Sequence, residues 1–143
     1  MPGKMTEEEV ESFLDNKPGW MILTSIGQDG YPHTIPIGYF RDGSRIFMGC
    51  RDNTQKVVNI ERNPKVSLCL EDGETMQDIR GVLLRGDAQV VRSEEERLAI
   101  GLLAAKLRGV PESEWPVSAT TGSVFIKLEN FSVVSWDYSK VVS

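Results

Sequence analysis

The sequence predicts a mainly β fold, an antiparallel, closed or nearly closed barrel of six or seven strands with short helices. Three observations support this prediction. Strand-like runs recur along the chain, turn residues separate them, and three segments change to a helical period. A chain of 143 residues with 40% hydrophobic residues is long enough for one domain with its own core. We therefore expect a single domain over residues 1–143.

The first predicted element is a short helix that ends near Asn16. Thr6 and Glu9 have the spacing of a capping box, and the apolar residues that follow recur at helical spacing. The Lys17-Pro18-Gly19 segment should end this helix, because proline cannot continue it.

Three strands are predicted next, over Trp20 to Ile26, His33 to Phe40 and Arg45 to Cys50. The connections GQDGYP and RDGS carry Asp-Gly turn chemistry. Loops this short join only antiparallel neighbours, so the three strands should form a β-meander.

The stretch CRDNTQKVVNIERNP then changes to a helical period. Val57, Val58 and Ile60 should share one face of a helix with two or three turns. Asn53 or Thr54 should cap its start, and the Asn-Pro pair should end it.

The remaining chain is predicted to contain four strands and one helix. Ser93 and Glu96 form a second capping box, Gly86 indicates a bulge or bend, and GVPESEWPVSATTGS is too long for a simple turn. The strands should cover Val66 to Leu70, Gly81 to Arg92, Val124 to Leu128 and Phe131 to Trp136, and the helix should end near Arg108.

Composition and missing motifs exclude several classes of function. A formal charge of −5 argues against general binding of nucleic acid. Cys50 and Cys69 lie in apolar strand-like runs without metal-ligand spacing, so we expect two buried thiols and no metal. The acidic N-terminal segment lacks a secretory pattern, and the longest apolar run is too short for a membrane span. We expect a soluble cytoplasmic protein without serine-hydrolase, P-loop, Rossmann or zincin chemistry.

Lys56 is the first candidate functional residue, because it lies in the first turn of a helix. The helix dipole and unpaired N–H groups make a cation unfavourable there unless an anion lies between them. With Arg51, Thr54 and Gln55, it would form a phosphate clamp. The alternative is a solvated lysine that pairs with a surface acid such as Asp52.

Two strands contain further candidates. Pro36 interrupts a β-rich run and belongs at an edge, at a bulge or against a ligand. His33 and Tyr39 are the only catalytic candidates, and no partner acid or nucleophile is placed beside His33. Trp136 and Tyr138 suit either ordinary packing or stacking on a planar cofactor. The sequence therefore assigns no catalytic residue.

These elements together resemble the pyridoxamine 5'-phosphate oxidase-like, FMN-binding split-barrel superfamily. The matching segments, in order, are WMILTSIGQDGYPHTIPIGYF, RIFMGCRDNTQKVVNIERNPKVSLCLEDG, IRGVLLRGDAQVV and SVFIKLENFSVVSWDYSK. More narrowly, the chain is similar to the flavin/deazaflavin oxidoreductases, whose members use FMN or F420. The resemblance covers about Trp20 to Lys140.

The resemblance implies where a cofactor would bind. Thr54-Gln55-Lys56 matches the phosphate-binding segment of the family, and the second strand matches the one beneath the cofactor ring. Arg80 and Trp136 resemble groups that complete the site of the other subunit in a homodimer. The implied cofactor-binding residues are His33, Thr34, Ile35, Pro36, Ile37, Cys50, Arg51, Thr54, Gln55, Lys56, Arg80 and Trp136.

The resemblance also implies a function. We expect an FMN- or F420-dependent oxidoreductase that transfers a hydride to or from a small unsaturated substrate. The alternatives are a non-catalytic flavin- or haem-binding module and a barrel with an empty pocket. HTIPIG and WDYSKVVS replace the basic segments of true pyridoxamine phosphate oxidases, so vitamin B6 oxidation is not expected. Cys50 and Gln55 replace common hydroxyl and arginine contacts to FMN, which leaves room for F420.

Overall fold

The computed structural model describes residues 2–16 and 19–141, with the side chain of Val141 outside that description. The described residues form two antiparallel sheets and three helices, which confirms the mainly β prediction. The strands are β1 Pro2–Gly3, β2 Met21–Ile26, β3 Pro32–Ile37, β4 Phe40–Asp42, β5 Arg45–Arg51, β6 Lys65–Asp72, β7 Arg80–Asp87, β8 Gln89–Val91, β9 Ser123–Leu128 and β10 Phe131–Val141. The helices are α1 Glu7–Asn16, α2 Gln55–Arg62 and α3 Glu94–Leu107, and a 3-10 turn covers Glu112–Glu114.

The six-stranded sheet has the order β1-β10-β7-β6-β2-β3, and the four-stranded sheet has the order β4-β5-β9-β8. The described residues contain ten strands instead of the seven runs predicted, because two of those runs are divided between the sheets and the short strand β1 was not predicted. The predicted strand from His33 to Phe40 separates at Gly38 and Tyr39 into β3 and β4. The first three predicted strands are therefore not a meander within one sheet.

The second divided run separates β7 from β8 at Ala88, and the predicted bulge at Gly86 was wrong. Gly86 keeps regular register with Val66 and Phe131. Its role is a close approach, since an added Cβ would lie 2.5 Å from the carbonyl oxygen of Asn130. The bend falls instead at the buried Ala88, whose N–H donates to the carbonyl of Pro64 at 2.8 Å.

The main core lies between the sheets and is built by alternation along the strands. Met21 and Leu23 on β2, Ile46 and Met48 on β5, and Leu68 on β6 are fully buried. Burial of each such side chain contributes about 1.5–3 kcal/mol. The cysteines, predicted to be buried, are half-buried free thiols.

The helices follow their predicted starts. In α1 the Thr6 hydroxyl accepts from the Glu9 N–H at 3.1 Å while the Glu9 carboxylate accepts from the Thr6 N–H at 2.9 Å. In α3 the Ser93 hydroxyl accepts from the backbone of Glu96 at 3.3 Å. The capping box at Thr6 is therefore formed as predicted, and at Ser93 the hydroxyl cap of the predicted box is formed. Helix α1 ends at Asn16, and the predicted stop at Lys17 and Pro18 lies outside the described residues.

Helix α2 covers the predicted segment, but one of its predicted core residues was wrong. Val57 and Ile60 are buried, whereas Val58 is 51% exposed. Asn59 is fully buried in its place, because it lies between the two apolar residues on the packed side. A helical face that buries an asparagine needs a hydrogen-bond partner for it inside the protein.

Helix α3 covers the outer side of the four-stranded sheet. Ile100 packs with Phe47 and Val91 in a second apolar cluster, to which Phe40 and Phe125 add partly buried rings. The long segment after α3 is held by Arg97, which donates to two backbone carbonyls at 2.9 and 3.2 Å. These contacts place the segment beside α3 and β9.

Candidate cofactor site

The site begins at an opening between β3 and the end of β5. Strand β3 is an end strand and pairs with β2 alone among the described strands. Pairing of β4 with β5 starts at Phe40 and Phe47. Continuing that register would bring Gly38 opposite Gly49, but no pairing extends there within the described ranges. Pro36 thus lies on an edge strand, as predicted, and a ligand can approach this edge.

Side chains along β3 alternate between two environments. Thr34 and Pro36 are exposed on the outer face, where the Thr34 hydroxyl lies 3.0 Å from that of Thr24. Ile35 packs against the main core, and Ile37 is a buried member of it. Pro32, Thr34 and Pro36 present their side chains on the outer face, whereas Ile37 has only its backbone to offer a ligand there.

A buried polar connection joins the first turn of α2 to β2. The Gln55 amide donates to the Asn59 side-chain oxygen at 2.8 Å, and the Asn59 amide donates to the Ser25 hydroxyl at 3.1 Å. Asn59 and Ser25 are both fully buried. His33 lies opposite Ser25 in the strand register, and its buried Nδ1 has no hydrogen-bond partner among the described residues. Sequence reasoning missed Asn59, although a polar residue between apolar neighbours was a visible signal.

The N-terminus of α2 is not capped by a side chain. The N-cap residue Thr54 has an extended backbone, and its hydroxyl donates to the Arg51 carbonyl at 2.9 Å instead of accepting from the helix. Helices α1 and α3 differ, because each is capped and carries three glutamates in its first turn, Glu7–Glu9 and Glu94–Glu96. The first turn of α2 carries no acid. Its N–H groups and dipole are therefore available to an anion.

Lys56 makes no ion pair with any residue that the structure describes. The proposed alternative partner, Asp52, binds Arg92 at 2.7 Å, and Arg92 also binds Glu61 at 2.8 Å. Burial raises the pKa of the Cys50 thiol, and the nearby Lys56 charge acts in the opposite direction. A half-buried lysine, an uncapped helix start and a thiol therefore lie together.

Arg80 and Trp136 lie far from this cluster within one protomer. The Arg80 guanidinium lies 5.1 Å from the ring centroid of Phe13 and 3.5 Å from Asp72. Trp136 pairs with Gly81, the residue after Arg80 on β7. The side chains of Arg80 and Trp136 therefore point to opposite faces of the sheet. Four strand spacings separate β10 from β3, about 19 Å.

A large cleft opens beside the cluster. It has a volume of about 970 Å³ and lies between α3, the segment that follows α3, and strands β4, β5 and β9. Gly38, Cys50 and Arg51 belong to its lining, so the cleft adjoins the opening at β3. Its α3 wall was not predicted from sequence, although Gly101 inside a helix was a signal for it.

Comparison with known families identifies the fold. A family model described as pyridoxamine 5'-phosphate oxidase matches residues 6–130. The chain belongs to this family. The membership agrees with the split between β3 and β5 and with the order of the matching segments. No curated protein sequence matches the chain closely enough to count as a relative.

Several solved structures have folds similar to that of this chain, and their described functions differ. It is similar to the conserved hypothetical protein Rv2991 from Mycobacterium tuberculosis, with 28% identity, a TM-score of 0.77, and coverage of 94% of this chain and 86% of that one. An F420 reductase is 25% identical with a TM-score of 0.61, covering 85% of this chain and 94% of the other. The haem storage protein HutZ from Vibrio cholerae is 13% identical with a TM-score of 0.66, over 93% and 97%, and shows the fold alone.

The residues present suit an anionic cofactor group better than a metal. The start of α2 combines uncapped N–H donors with the charge of Lys56, which has no ion-pair partner in the described part of the chain. Within the described ranges there is no group of three His, Cys, Asp or Glu side chains that would hold a metal ion. The described part of the chain also has no helix long and apolar enough to cross a bilayer.

Proposed function

We propose that this family member is an oxidoreductase that binds FMN or F420 and transfers a hydride to or from a small unsaturated substrate. The observation that carries the proposal is the start of α2, where an uncapped first turn meets a lysine that forms no ion pair with the residues the structure describes. In this family the corresponding segment, Thr54-Gln55-Lys56, would hold the phosphate of the cofactor.

The electrostatics support an anion at this position. A cation in the first turn of a helix costs about 0.3–1 kcal/mol, because it meets the positive end of the dipole. A phosphate between Lys56 and the helix N–H groups would reverse that repulsion into two attractions. Arg51, exposed at the end of β5, adds a second cation near the same point.

The remaining residues of the site would position the ring and limit water. When bound, a flavin or deazaflavin supplies the hydride chemistry. The edge of β3 would support the ring through its backbone, with Thr34 and Pro36 on the outer face. Gln55 would act indirectly, because its amide nitrogen already donates to Asn59. The buried connection through Asn59 to Ser25 would hold the phosphate segment and the ring strand in a fixed relation.

The proposal needs no acid or base from the chain. Tyr39, a weak candidate in the sequence, donates its hydroxyl hydrogen to the Leu14 carbonyl. Burial raises its pKa to about 12, so it keeps its proton at neutral pH. A proton required by the reaction would come from solvent.

Two observations favour F420 over FMN without deciding between them. The F420 reductase is the cofactor-named structure with the higher identity among those compared, at 25%. Cys50 and Gln55 also stand where FMN-binding members often have a hydroxyl and an arginine, and the Gln55 amide nitrogen is already engaged. The absorption spectrum of loaded protein would separate FMN, F420 and haem by their different bands.

A homodimer with the cofactor at its interface forms part of the proposal. One row of cross-strand neighbours crosses five strands on the outer face of the six-stranded sheet. This row consists of Pro36, Ile22, Cys69, Leu83 and Val134. Its members are apolar and partly or largely exposed, with Val134 at 45%. A second copy would cover this row and bring its own Trp136, which lies on the same face as Val134, towards the site. A monomer mass by light scattering at micromolar concentration would contradict this part.

The proposal is tested by titrating FMN and F420 into cofactor-free protein. Lys56→Ala should weaken binding by roughly 1.5–3 kcal/mol, from about tenfold to over a hundredfold, because a charge-assisted contact is lost. Lys65→Ala is the matched control, since Lys65 is exposed on β6 and lies outside the site. Equal affinity of Lys56→Ala and wild type for both cofactors would refute the phosphate clamp.

A further inference from the structure

The cleft beside α3 has an aromatic wall. Phe40 and Phe47 are stacked with ring centroids 5.1 Å apart and planes 26° from parallel, and Phe47 is fully buried, so Phe40 is the partly exposed member of the pair. Phe125 lines the same cleft and contacts the second apolar cluster. Ring faces prefer flat apolar partners, and a volume of about 970 Å³ accommodates a molecule of several fused or linked rings.

The cleft also carries positive charge in an acidic protein. Four arginines and two acids line it, although the whole chain has a formal charge of −5. The charge of Arg41 is neutralised by Asp15, because the Nε and Nη2 atoms of Arg41 donate to the two carboxylate oxygens at 2.8 and 2.7 Å. Arg97 donates to the carbonyls of Thr120 and Ser123. A negatively charged ligand group would therefore be stabilised elsewhere on the lining.

Two of the lining arginines are available to bind such a negatively charged group. Arg51 and Arg108 make no ion pair with any residue in the described ranges, and both are exposed at the edge of the cleft. Arg51 lies against the segment after α3, where an added Cβ on Gly122 would be 3.6 Å from its guanidinium. Arg108 is the C-cap residue of α3. The guanidinium group binds planar carboxylates in a two-point geometry.

Gly101 keeps the α3 wall open. It lies inside a helix of 14 residues, where glycine costs about 1 kcal/mol relative to alanine. Packing does not require it, since an added Cβ would meet only Pro116, at an ordinary 3.7 Å. Ala104 and Ala105 continue the small side chains along the same wall. Because Gly101 has no side chain, this part of the helix surface leaves its volume to the cleft.

We propose that this cleft is the substrate site and that it takes a planar aromatic or conjugated carboxylate. The rings would lie against the phenylalanine wall, and the carboxylate would bind Arg108 at the edge. The substrate role rests on the proposed function, because the cleft adjoins the opening at β3. Binding of the carboxylate itself does not require the cofactor.

The probe is 2-naphthoate, titrated into cofactor-free protein by calorimetry, with 2-naphthylmethanol as the uncharged analogue. Gly101→Phe should weaken both compounds by about tenfold or more, because the added ring fills the cleft. Arg108→Gln should weaken 2-naphthoate by about fivefold and leave 2-naphthylmethanol unchanged, because only a partly exposed charge contact is lost.

Matched controls lie on the same helix. Ala99→Phe adds the same ring at an exposed position outside this cleft, and Lys106→Gln removes the same charge two residues before Arg108. Both controls should bind 2-naphthoate as wild type does. Because Arg108 is exposed, its variant keeps the test valid if Gly101→Phe fails to fold.

The results separate this inference from the proposed function. No binding of 2-naphthoate to wild type, or equal loss in Ala99→Phe and Gly101→Phe, would overturn the inference, whatever the cofactor titrations give. If Arg108→Gln instead weakens F420 but not the same deazaflavin without its phosphate-linked tail, the cleft holds the cofactor tail and the inference is wrong. Loss of cofactor binding in Lys56→Ala with 2-naphthoate unaffected is the expected pattern.

Discussion

Replacing Lys56 by glutamate should stabilise the protein while it abolishes cofactor binding. Lys56 is the second residue of α2, a position occupied by Glu8 in α1 and Glu95 in α3. The change removes a repulsion with the dipole of α2 and adds an attraction, each of about 0.3–1 kcal/mol. We expect a gain of about 1 kcal/mol, or about 4 °C in the melting temperature for a chain of this size.

The assay combines thermal unfolding of cofactor-free protein with a titration of FMN and F420. A glutamate would place a negative charge against the cofactor phosphate, so binding should fall at least as far as in Lys56→Ala. Glu95→Lys is the matched reversal on α3. It should destabilise the protein by a similar amount, because it places a cation at the start of α3. It should leave cofactor binding unchanged, because α3 is already capped by Ser93 and does not form the phosphate segment.

Two results would refute this reasoning. A lower melting temperature for Lys56→Glu would mean that the start of α2 is already satisfied without a ligand. Unchanged affinity for both cofactors would mean that no phosphate binds there. Opposite signs for stability and binding are the result that a purely structural lysine would not produce.

Further changes test the fold and the support of the site. The hydrogen bond from Lys140 is the main cause that lowers the pKa of Glu9 from 4.5 to about 2. Glu9→Gln should therefore lose stability relative to wild type above about pH 4.5, with the difference shrinking as the pH falls through about 2, as measured by denaturant unfolding. Gly81→Ala should cost about 1–3 kcal/mol, because its Cβ would lie 2.6 Å from the Trp136 ring and 2.8 Å from a backbone carbonyl of β6; an unchanged melting temperature would contradict the close contact. Asn59→Ala should cost about 1–3 kcal/mol, since the buried Ser25 hydroxyl and the exposed Gln55 amide lose their bonds; chemical unfolding that matches wild type would disprove the buried connection.

The fold class and most element positions could be predicted, because local signals determine them. The caps at Thr6 and Ser93 use side chains within three residues of the helix start, and both hydroxyl caps are formed. Alternating apolar residues likewise indicated the strands. The divisions at Tyr39 and Ala88 could not be predicted, since they depend on which sheet each half joins, and that is decided by distant partners.

The candidate site was predictable only where one segment carries it. Lys56 stands out in sequence because a cation opposes a helix dipole, and the structure places it without an ion pair among the described residues. The cleft was missed because its walls come from α3 and from strands far apart along the chain. Asn59 and Gly101 were visible as a polar and a small residue in helices, but their partners become apparent only in three dimensions.

The central claim is that Lys56 binds the phosphate of a flavin-type cofactor, and a cycle of two ligands and two proteins tests it most directly. The affinities of FMN and riboflavin, or of F420 and its tail-less deazaflavin, are measured for wild type and Lys56→Ala. We predict that the change weakens the phosphate-bearing ligand by roughly 1.5–3 kcal/mol and leaves the other nearly unchanged. Equal loss for both ligands, or no loss for either, would contradict the claim.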